Sequence, residues 1–211
     1  MFIQDLRPHG RMRVGVVSDI HADLSSLERA LHLLVSHGAD RIICLGDVVE
    51  KGSDGDAVVE TLDRWLIPVV AGNHGHNAIR HAQLPAAMRT GHSLHPDTLT
   101  RIAQYPLSRR FEWAGLQVLA AHGTPDNNSI YVFEEEPPKK LKRQLRHREV
   151  DVLLLGHTHR PMKMRYGNTW ICNPGSVCTG RSRDSHTAAI LSLPEVEFTV
   201  YDLESGRGRV L

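Results

Sequence analysis

Two short runs of β-branched residues flank a stretch with helically spaced apolar residues, and this alternation restricts the fold more than any other feature. The runs cover residues 13–18 and 41–45. A second amphipathic stretch, 56–65, precedes a third apolar run at 67–70. The helically spaced residues between the first two runs are Leu24, Leu27, Leu31, Leu34 and Val35. Strand, helix and strand in this order predict a parallel sheet, because parallel strands need a long crossover connection.

The second half of the chain has a different character, with short strands joined by short connections. The pairs 114–115 and 167–168 are typical of two-residue hairpin loops. Residues 77–108 are less regular, with one helix predicted to start near Pro96. Strands are predicted over 110–113, 117–121, 152–155, 162–166, 169–172, 188–193 and 197–201. This order of elements predicts a mixed two-sheet sandwich with helices outside.

Length and composition indicate one globular domain. The 211 residues contain no linker rich in proline, glycine or serine, and 41% hydrophobic residues suffice for a core. We therefore predict a single domain over residues 1–211, with residues 1–12 as a candidate flexible N-terminal segment.

Charge and cysteine content exclude several classes of protein. A net charge of +1 argues against a stable nucleic-acid complex. We interpret the basic stretch 137–148 as a solvated helix that packs through Leu141 and Leu145.

The sequence contains no run of 18 apolar residues, so it predicts no membrane span, and the start of the chain lacks the apolar region of a signal peptide. Three cysteines without a CxxC pair suit a reducing compartment, so we predict a cytoplasmic protein.

Five predicted strands end in short polar clusters that contain potential metal ligands. Loops at the carboxyl ends of parallel strands converge on one crevice, so residues distant in sequence can meet there. A single histidine of this kind is usually a loop or core residue, but five clusters in such a consistent position are hard to produce by chance. The clusters contain Asp19, His21, Asp47, Asn73, His74, His122, His157 and His159.

The chemistry of these side chains predicts a metal site. Carboxylates, imidazoles and an amide oxygen without thiolates suit Mn, Fe, Zn, Ni or Co and argue against structural zinc or copper(I). The set is too large for one ion, whereas two divalent ions bridged by a shared carboxylate would use it. Such a pair, about 3.5 to 4 Å apart, suits in-line displacement at phosphorus.

These motifs resemble the calcineurin-like metallophosphoesterase superfamily, over residues 13–176. The family pattern is Asp-x-His, Gly-Asp, Gly-Asn-His-Asp/Glu, a later histidine and Gly-His-x-His. The sequence Asn-Pro-Gly-Ser at 173–176 also resembles the small bacterial and archaeal phosphodiesterase branch. The corresponding segments here are 19–21, 46–47, 72–74, His122 and 156–159. The resemblance implies a four-layer αββα sandwich of two mixed sheets flanked by helices.

The resemblance also implies a role for each ligand. One metal would be held by Asp19, His21, Asp47 and His159. The other would be held by Asp47, Asn73, His122 and His157, so that Asp47 bridges the two metals. A metal-bridging hydroxide would attack phosphorus, and His74 would act as the catalytic acid that protonates the leaving group.

Position 75 departs from the family pattern, because Gly75 stands where an aspartate or glutamate is usual. A carboxylate at that position would accept the N–H of the His74 ring and fix its tautomer. The sequence leaves open whether another side chain does so instead. The alternatives are Asp23, Asp54, Asp56 and, by another route, His76.

The sequence defines the substrate only as a small phosphorylated molecule, a phosphodiester or a phosphomonoester, and favours no oligomeric state. Asn73, Arg181 and Arg183 are candidate contacts for its phosphate group. Two other functions remain open: a non-catalytic metal-binding scaffold on the same fold, and a dinuclear hydrolase of amides or lactones. Intact ligand positions favour an enzyme over a scaffold, and by resemblance the Gly-Asn-His cluster favours phosphorus chemistry.

Overall fold

The computed structural model describes residues 10–85, 88, 93–146, 148–178 and 186–211. The helices are α1 (Leu24–Ser36), α2 (Gly55–Arg64), α3 (Asn73–Ala82), α4 (Pro96–Ala103) and α5 (Lys139–Arg146). The strands are β1 (Met12–Val17), β2 (Arg41–Cys44), β3 (Ser108–Trp113), β4 (Leu116–Ala121), β5 (Val152–Leu154), β6 (Pro161–Tyr166), β7 (Thr169–Pro174), β8 (Thr187–Leu193), β9 (Glu197–Asp202) and β10 (Gly208–Val210). Within this part of the chain, no helix is both long and apolar enough to cross a bilayer.

The strands form two mixed five-stranded sheets, with the orders β10-β9-β8-β1-β2 and β3-β4-β5-β7-β6. In the first sheet β1 and β2 are parallel, and the helix α1 connects them as predicted. In the second sheet β4, β5 and β7 are parallel neighbours. Both predicted hairpins are confirmed, with Trp113 opposite Leu116 and Tyr166 opposite Thr169 across their two-residue loops.

Among the described residues, three apolar cores fill the spaces between the layers of the sandwich. The middle core lies between the sheets and includes Val16, Leu154 and Phe198. A second core packs α1 and α2 against the outer face of the first sheet. The third packs Leu141 of α5 against the outer face of the second sheet, as predicted for the basic helix. The order helix, sheet, sheet, helix confirms the predicted αββα architecture.

Strand β1 shows how the pattern produces these layers. Its residues alternate between the two faces of the sheet, so Val14 and Val16 enter the middle core while Val17 faces the helices. Gly15 also faces the helices, where an added Cβ would lie 3.0 Å from Leu34 of α1. The small residue therefore lets α1 pack close to the sheet. Met12, the last residue of the predicted N-terminal segment, already belongs to β1.

The structure differs from the predicted elements in three places. The run at 67–70 contributes only an isolated parallel bridge between Val69 and Cys44, rather than a full third strand. Helix α3 was not predicted, because its N-cap is Gly72, which has no capping side chain, and its sequence is rich in histidine and asparagine. The edge strand β10 is three exposed residues long and carries no apolar alternation.

Candidate metal centre

The predicted ligands meet at the seam between the two sheets, at the carboxyl ends of the parallel strands. Loops after β1 and β2 contribute Asp19, His21 and Asp47, loops after β4 and β5 contribute His122, His157 and His159, and α3 begins at Asn73. Hydrogen bonds cross the seam directly. The Nδ1–H of His122 donates to the Leu45 carbonyl oxygen at 2.7 Å, and the His157 amide donates to Asp19 Oδ2 at 3.0 Å. The contacts between the two sheets therefore also build the site.

The side chains form two groups with ligand spacing. In the first group, Asp19 Oδ1 lies 3.1 Å from His159 Nε2, which lies 3.3 Å from His21 Nε2. In the second, one ligand atom from each of Asp47, His122 and His157 lies within 4.8 Å of the others. Asp47 belongs as well to a group with His21 and His74, so its carboxylate lies between the two clusters.

Buried polar atoms without hydrogen-bond partners support a cation at each group. They include Asp19 Oδ1, Asn73 Oδ1, His122 Nε2 and His157 Nε2, one atom from each of four predicted ligands. The His122 Nε2 lies 3.0 Å from Asp47 Oδ2, but the pair does not have hydrogen-bond geometry. Burying a polar atom unpaired costs about 1–3 kcal/mol. A bound divalent ion would satisfy these atoms together, so the residues fit such an ion.

The orientation of His122 is fixed for coordination. Because its Nδ1–H donates to the Leu45 carbonyl, its Nε2 faces the carboxylates. His157 is held by the ring of Tyr131, which stacks on it at 3.9 Å between centroids and 15° between planes. These contacts hold the imidazoles in place without a metal.

Backbone strain concentrates at the ligands. Positive φ angles occur at Asp19 (54°), His21 (52°), Asp47 (51°), His157 (68°) and His159 (59°). Non-glycine residues rarely adopt this left-handed conformation, and it persists only where surrounding contacts impose it. Its recurrence in three separate loops indicates that each loop is shaped to aim its side chain inward.

Two glycines allow the loops to approach each other. A Cβ at Gly72 would collide with the backbone and carboxylate of Asp47. A Cβ at Gly156 would collide with Ser18 Oγ and lie 3.0 Å from Asp19 Oδ2. The glycines of the Gly-Asn-His and Gly-His-x-His motifs therefore make room for the two carboxylates.

Helix α3 directs its N-terminus at Asp47. The N-cap Gly72 offers no side chain, and the His74 amide instead donates to Asp47 Oδ1 at 2.9 Å. A carboxylate at a helix N-terminus satisfies a free N–H and interacts favourably with the helix dipole. Asp47 is thus fixed by α3 on one oxygen and faces His122 with the other.

The charges of the site compensate one another. Burial alone would raise the pKa of Asp19 and Asp47, but the charge on His122, together with His159 at Asp19 and His74 at Asp47, outweighs burial and holds the pKa of both carboxyls below the usual range. Burial alone would lower the pKa of His122, but Asp47 and Asp19 raise it to about 9. Burial lowers the pKa of His21 to about 3, and burial with the charge on His122 lowers that of His157 to about 4. Without a metal, the proton on His122 neutralises part of the carboxylate charge.

Metal binding should therefore release a proton from His122. A cation needs the Nε2 lone pair of this residue, which is protonated near neutral pH, whereas His21 and His157 are already neutral. We expect about one proton released per chain near pH 7, and progressively less as the pH rises through about 9. Calorimetric titration of Mn²⁺ in buffers of different ionisation enthalpy measures this number. A release that does not change between about pH 7 and about pH 10 would contradict the assignment to His122.

Glu50 supplies the carboxylate that is missing at position 75. Its Oε2 lies 2.5 Å from His74 Nδ1, and it follows Asp47 by three residues in the same loop. A Cβ at Gly75 would lie 2.8 Å from Ile102 of α4, so this helix occupies the place where a side chain at 75 would extend. The His74 ring is thereby held at its Nδ1, with its Nε2 3.9 Å from Asp47 Oδ2.

The other candidates for this role have different partners. Asp23 accepts hydrogen bonds from Ser26 at the start of α1, and Asp54 is the N-cap residue of α2. Asp56 accepts from the His95 amide. His76 contacts the Asn128 side chain at 3.1 Å. Sequence reasoning missed Glu50. The only signal that could have indicated it was its position in the Gly-Asp loop.

The Asn-Pro-Gly-Ser turn braces two of the ligand loops. Asn173 Nδ2 donates to the Gly156 carbonyl at 2.7 Å, and Ser176 Oγ donates to the Asp19 carbonyl at 2.9 Å. The two candidate phosphate contacts that follow it, Arg181 and Arg183, lie outside the described residues.

Known proteins with related sequences and structures share this arrangement of sheets. The chain is 26% identical to the phosphodiesterase YfcE of Escherichia coli K12 over 174 residues, 79% of each chain. It is 24% identical to an uncharacterised protein of Methanocaldococcus jannaschii over 230 residues, which cover 94% of this chain and 91% of the relative. A metallophosphoesterase structure from Sphaerobacter thermophilus matches with a TM-score of 0.72 at 22% identity, covering 95% of this chain and 88% of that one.

A family model places these similarities in one group. The model of the calcineurin-like phosphoesterase superfamily domain matches residues 12–195, which include every strand-end cluster of the site. This match extends over most of the 211 residues. The chain therefore belongs to the calcineurin-like phosphoesterase superfamily.

Proposed function

We propose that the protein is a phosphoesterase that depends on two divalent metal ions. The observation that carries this proposal is the grouping of ligand atoms at metal-binding distances, with Asp19, His21 and His159 in one group and Asp47, His122 and His157 in the other. Two buried carboxylates surrounded by imidazoles are an unfavourable arrangement unless cations complete it. Family membership and the named activity of YfcE favour phosphoesters over amides or lactones as substrates.

Each group of ligands would hold one ion. Asp19, His21 and His159 with Asp47 would bind the first, and Asn73, His122 and His157 with Asp47 would bind the second. Two divalent cations in these positions would lower the pKa of a shared water and neutralise the charge of the substrate's phosphate oxygens. Carboxylate, imidazole and amide ligands suit Mn, Fe, Zn, Ni or Co.

His74 would supply the proton that the leaving group needs. Its Nδ1–H donates to Glu50, so the ring orientation is fixed and its Nε2 is directed at the site. The ring also contacts His21 edge to face, with 4.9 Å between centroids. Asn73, at the start of α3, is a candidate contact for the phosphate group. Proton donation of this kind accelerates ester cleavage by about 100- to 10,000-fold.

Removing and restoring metal tests the proposal. We expect chelator-treated protein to lose hydrolysis of both p-nitrophenyl phosphate and bis-p-nitrophenyl phosphate, and re-added Mn, Ni or Zn to restore it better than Mg. Imidazole ligands favour the first three ions, whereas Mg²⁺ prefers oxygen ligands and retains its waters. Preference for the diester would identify a phosphodiesterase. Full metal content without hydrolysis of either ester would indicate a non-catalytic scaffold on the same fold.

A further inference from the structure

A cavity of about 730 Å³ opens beside His74. It lies between α3, the start of α4 and the loop after β2, and we call it the α3 cavity. Glu50 and His74 line its inner end, and Ala78, Ala82, Leu94 and Leu99 form apolar parts of its wall. Its volume lies within the range of roughly 300–1,000 Å³ that is typical of small-molecule sites.

Helix α3 creates the space by its choice of residues. His74, Ala78 and Ala82 follow one another at intervals of four, so they share one face of the helix. The two alanines leave open the surface that extends from the His74 ring. Across the cavity, Pro96 and Leu99 belong to the first turn of α4. The cavity therefore extends from His74 along the two alanines of α3, and Lys51, His81 and Ser93 also line it.

The position of the acid in the reaction determines which part of the substrate the α3 cavity would hold. In hydrolysis the oxygen of water bonds to phosphorus, the bond from phosphorus to the ester oxygen breaks, and that oxygen takes a proton from His74, which solvent later restores. The ester oxygen must therefore lie next to His74 when the bond breaks. The group attached to that oxygen extends from the His74 side, where the α3 cavity lies.

We propose that the α3 cavity binds the leaving group, and that the substrate is a phosphoester of an alcohol of nucleoside size. This inference rests on the proposed function. Among the described residues that line the cavity, Glu50 is the one carboxylate, and it is engaged by His74. Apolar walls beside the polar side chains of Lys51, His81 and Ser93 suit a flat heterocycle with hydroxyl groups better than an extended peptide.

Two esters with alkoxide leaving groups of similar acidity test this. Adenosine 5′-monophosphate and glycerol 3-phosphate differ mainly in the size of the alcohol; their methyl diesters serve if the metal-loaded enzyme prefers diesters. We expect the wild type to favour the adenosine ester in kcat/KM by about tenfold or more, as contacts in an apolar pocket allow. Ala82→Leu narrows the cavity and should reduce this ratio about tenfold.

The ratio of the two kcat/KM values distinguishes lost contacts in the cavity from lost folding or lost metal. Lost folding or lost metal would lower kcat/KM for both esters by the same factor. Asn77→Leu adds the same side chain on an exposed position of α3 outside the cavity and should leave the ratio unchanged. Leu99→Ala, on the opposite wall, should also lower it. A wild-type ratio near one, or an unchanged ratio in Ala82→Leu, would overturn the inference and leave the proposed function intact.

Binding of adenosine itself tests the cavity without catalysis. If the metal-loaded protein hydrolyses no phosphoester, the proposed function fails. Calorimetric titration with adenosine then decides the inference alone. Binding that is lost in Ala82→Leu and kept in Asn77→Leu supports it, and no binding by the wild type overturns it.

Discussion

Asp47→Asn should lower kcat/KM for bis-p-nitrophenyl phosphate by more than about 100-fold, since residues that merely orient a metal ligand already contribute roughly 10- to 100-fold. The Asp47 carboxylate lies between the two ligand groups and is 2% exposed. Asparagine keeps the size of the side chain and an oxygen that can accept from the His74 amide, so the start of α3 should persist. The change removes the negative charge that both cations would share and replaces one of the two oxygens with an NH2 group, which cannot bind a metal.

Metal content and activity, measured together, check this result. Elemental analysis of reconstituted protein should show less metal per chain in Asp47→Asn than in the wild type. Asp54→Asn is the matched control, because Asp54 lies at the N-cap position of α2, outside the ligand groups, and asparagine is an equally good residue at that position. Wild-type metal content together with wild-type turnover in Asp47→Asn would refute a bridging role.

The convergence of the ligands followed from topology more than from any single motif. Asp19 and Asp47 were placed near each other because each follows a strand predicted to lie in a parallel sheet, and His122 was grouped with them because it also ends a predicted strand. The structure brings them together at the carboxyl ends of β1, β2 and β4. What decides this is the alternation of strand and helix, which an amino-acid sequence displays directly.

The partner of His74 could not be predicted in the same way. Glu50 has a φ of 66° within the loop after β2, so its side chain direction depends on a strained backbone that no local propensity encodes. Asp23, Asp54 and Asp56 were equally acidic candidates, but Asp23 caps α1, Asp54 accepts from the Ser53 hydroxyl and Asp56 accepts from the His95 amide. Tertiary contacts alone distinguish Glu50 from them.

Helix α3 and the run before it show the same limit. Val69 pairs with β2 through one isolated bridge, because the chain turns at once into the helix that presents Asn73 and His74. Asp47 from another loop accepts the amide that a local cap would normally satisfy. A helix whose N-terminus is capped from a distance has no capping signal in its own sequence.

His74→Ala should affect substrates according to their leaving groups. A p-nitrophenolate leaves readily without a proton, whereas an alkoxide needs one. We therefore expect the loss in kcat to reach about 100- to 10,000-fold for an alkyl phosphoester and to be much smaller for a p-nitrophenyl ester. Rates for a series of esters with leaving groups of increasing pKa should give a steeper dependence in the variant than in the wild type.

Glu50→Gln tests whether His74 needs the carboxylate charge of Glu50 or only the ring orientation that this side chain imposes. Glutamine can still accept the Nδ1–H through its amide oxygen, so the ring should keep its orientation while the carboxylate charge is lost. We expect a smaller loss than in His74→Ala, again confined mainly to alkyl esters, and no change in metal content. Glu60→Gln is a matched control, because Glu60 lies on α2 with a 74% exposed side chain and pairs with Arg64.

Equal losses for aryl and alkyl esters in His74→Ala would show that His74 is not the acid. Glu50 would then matter through packing alone.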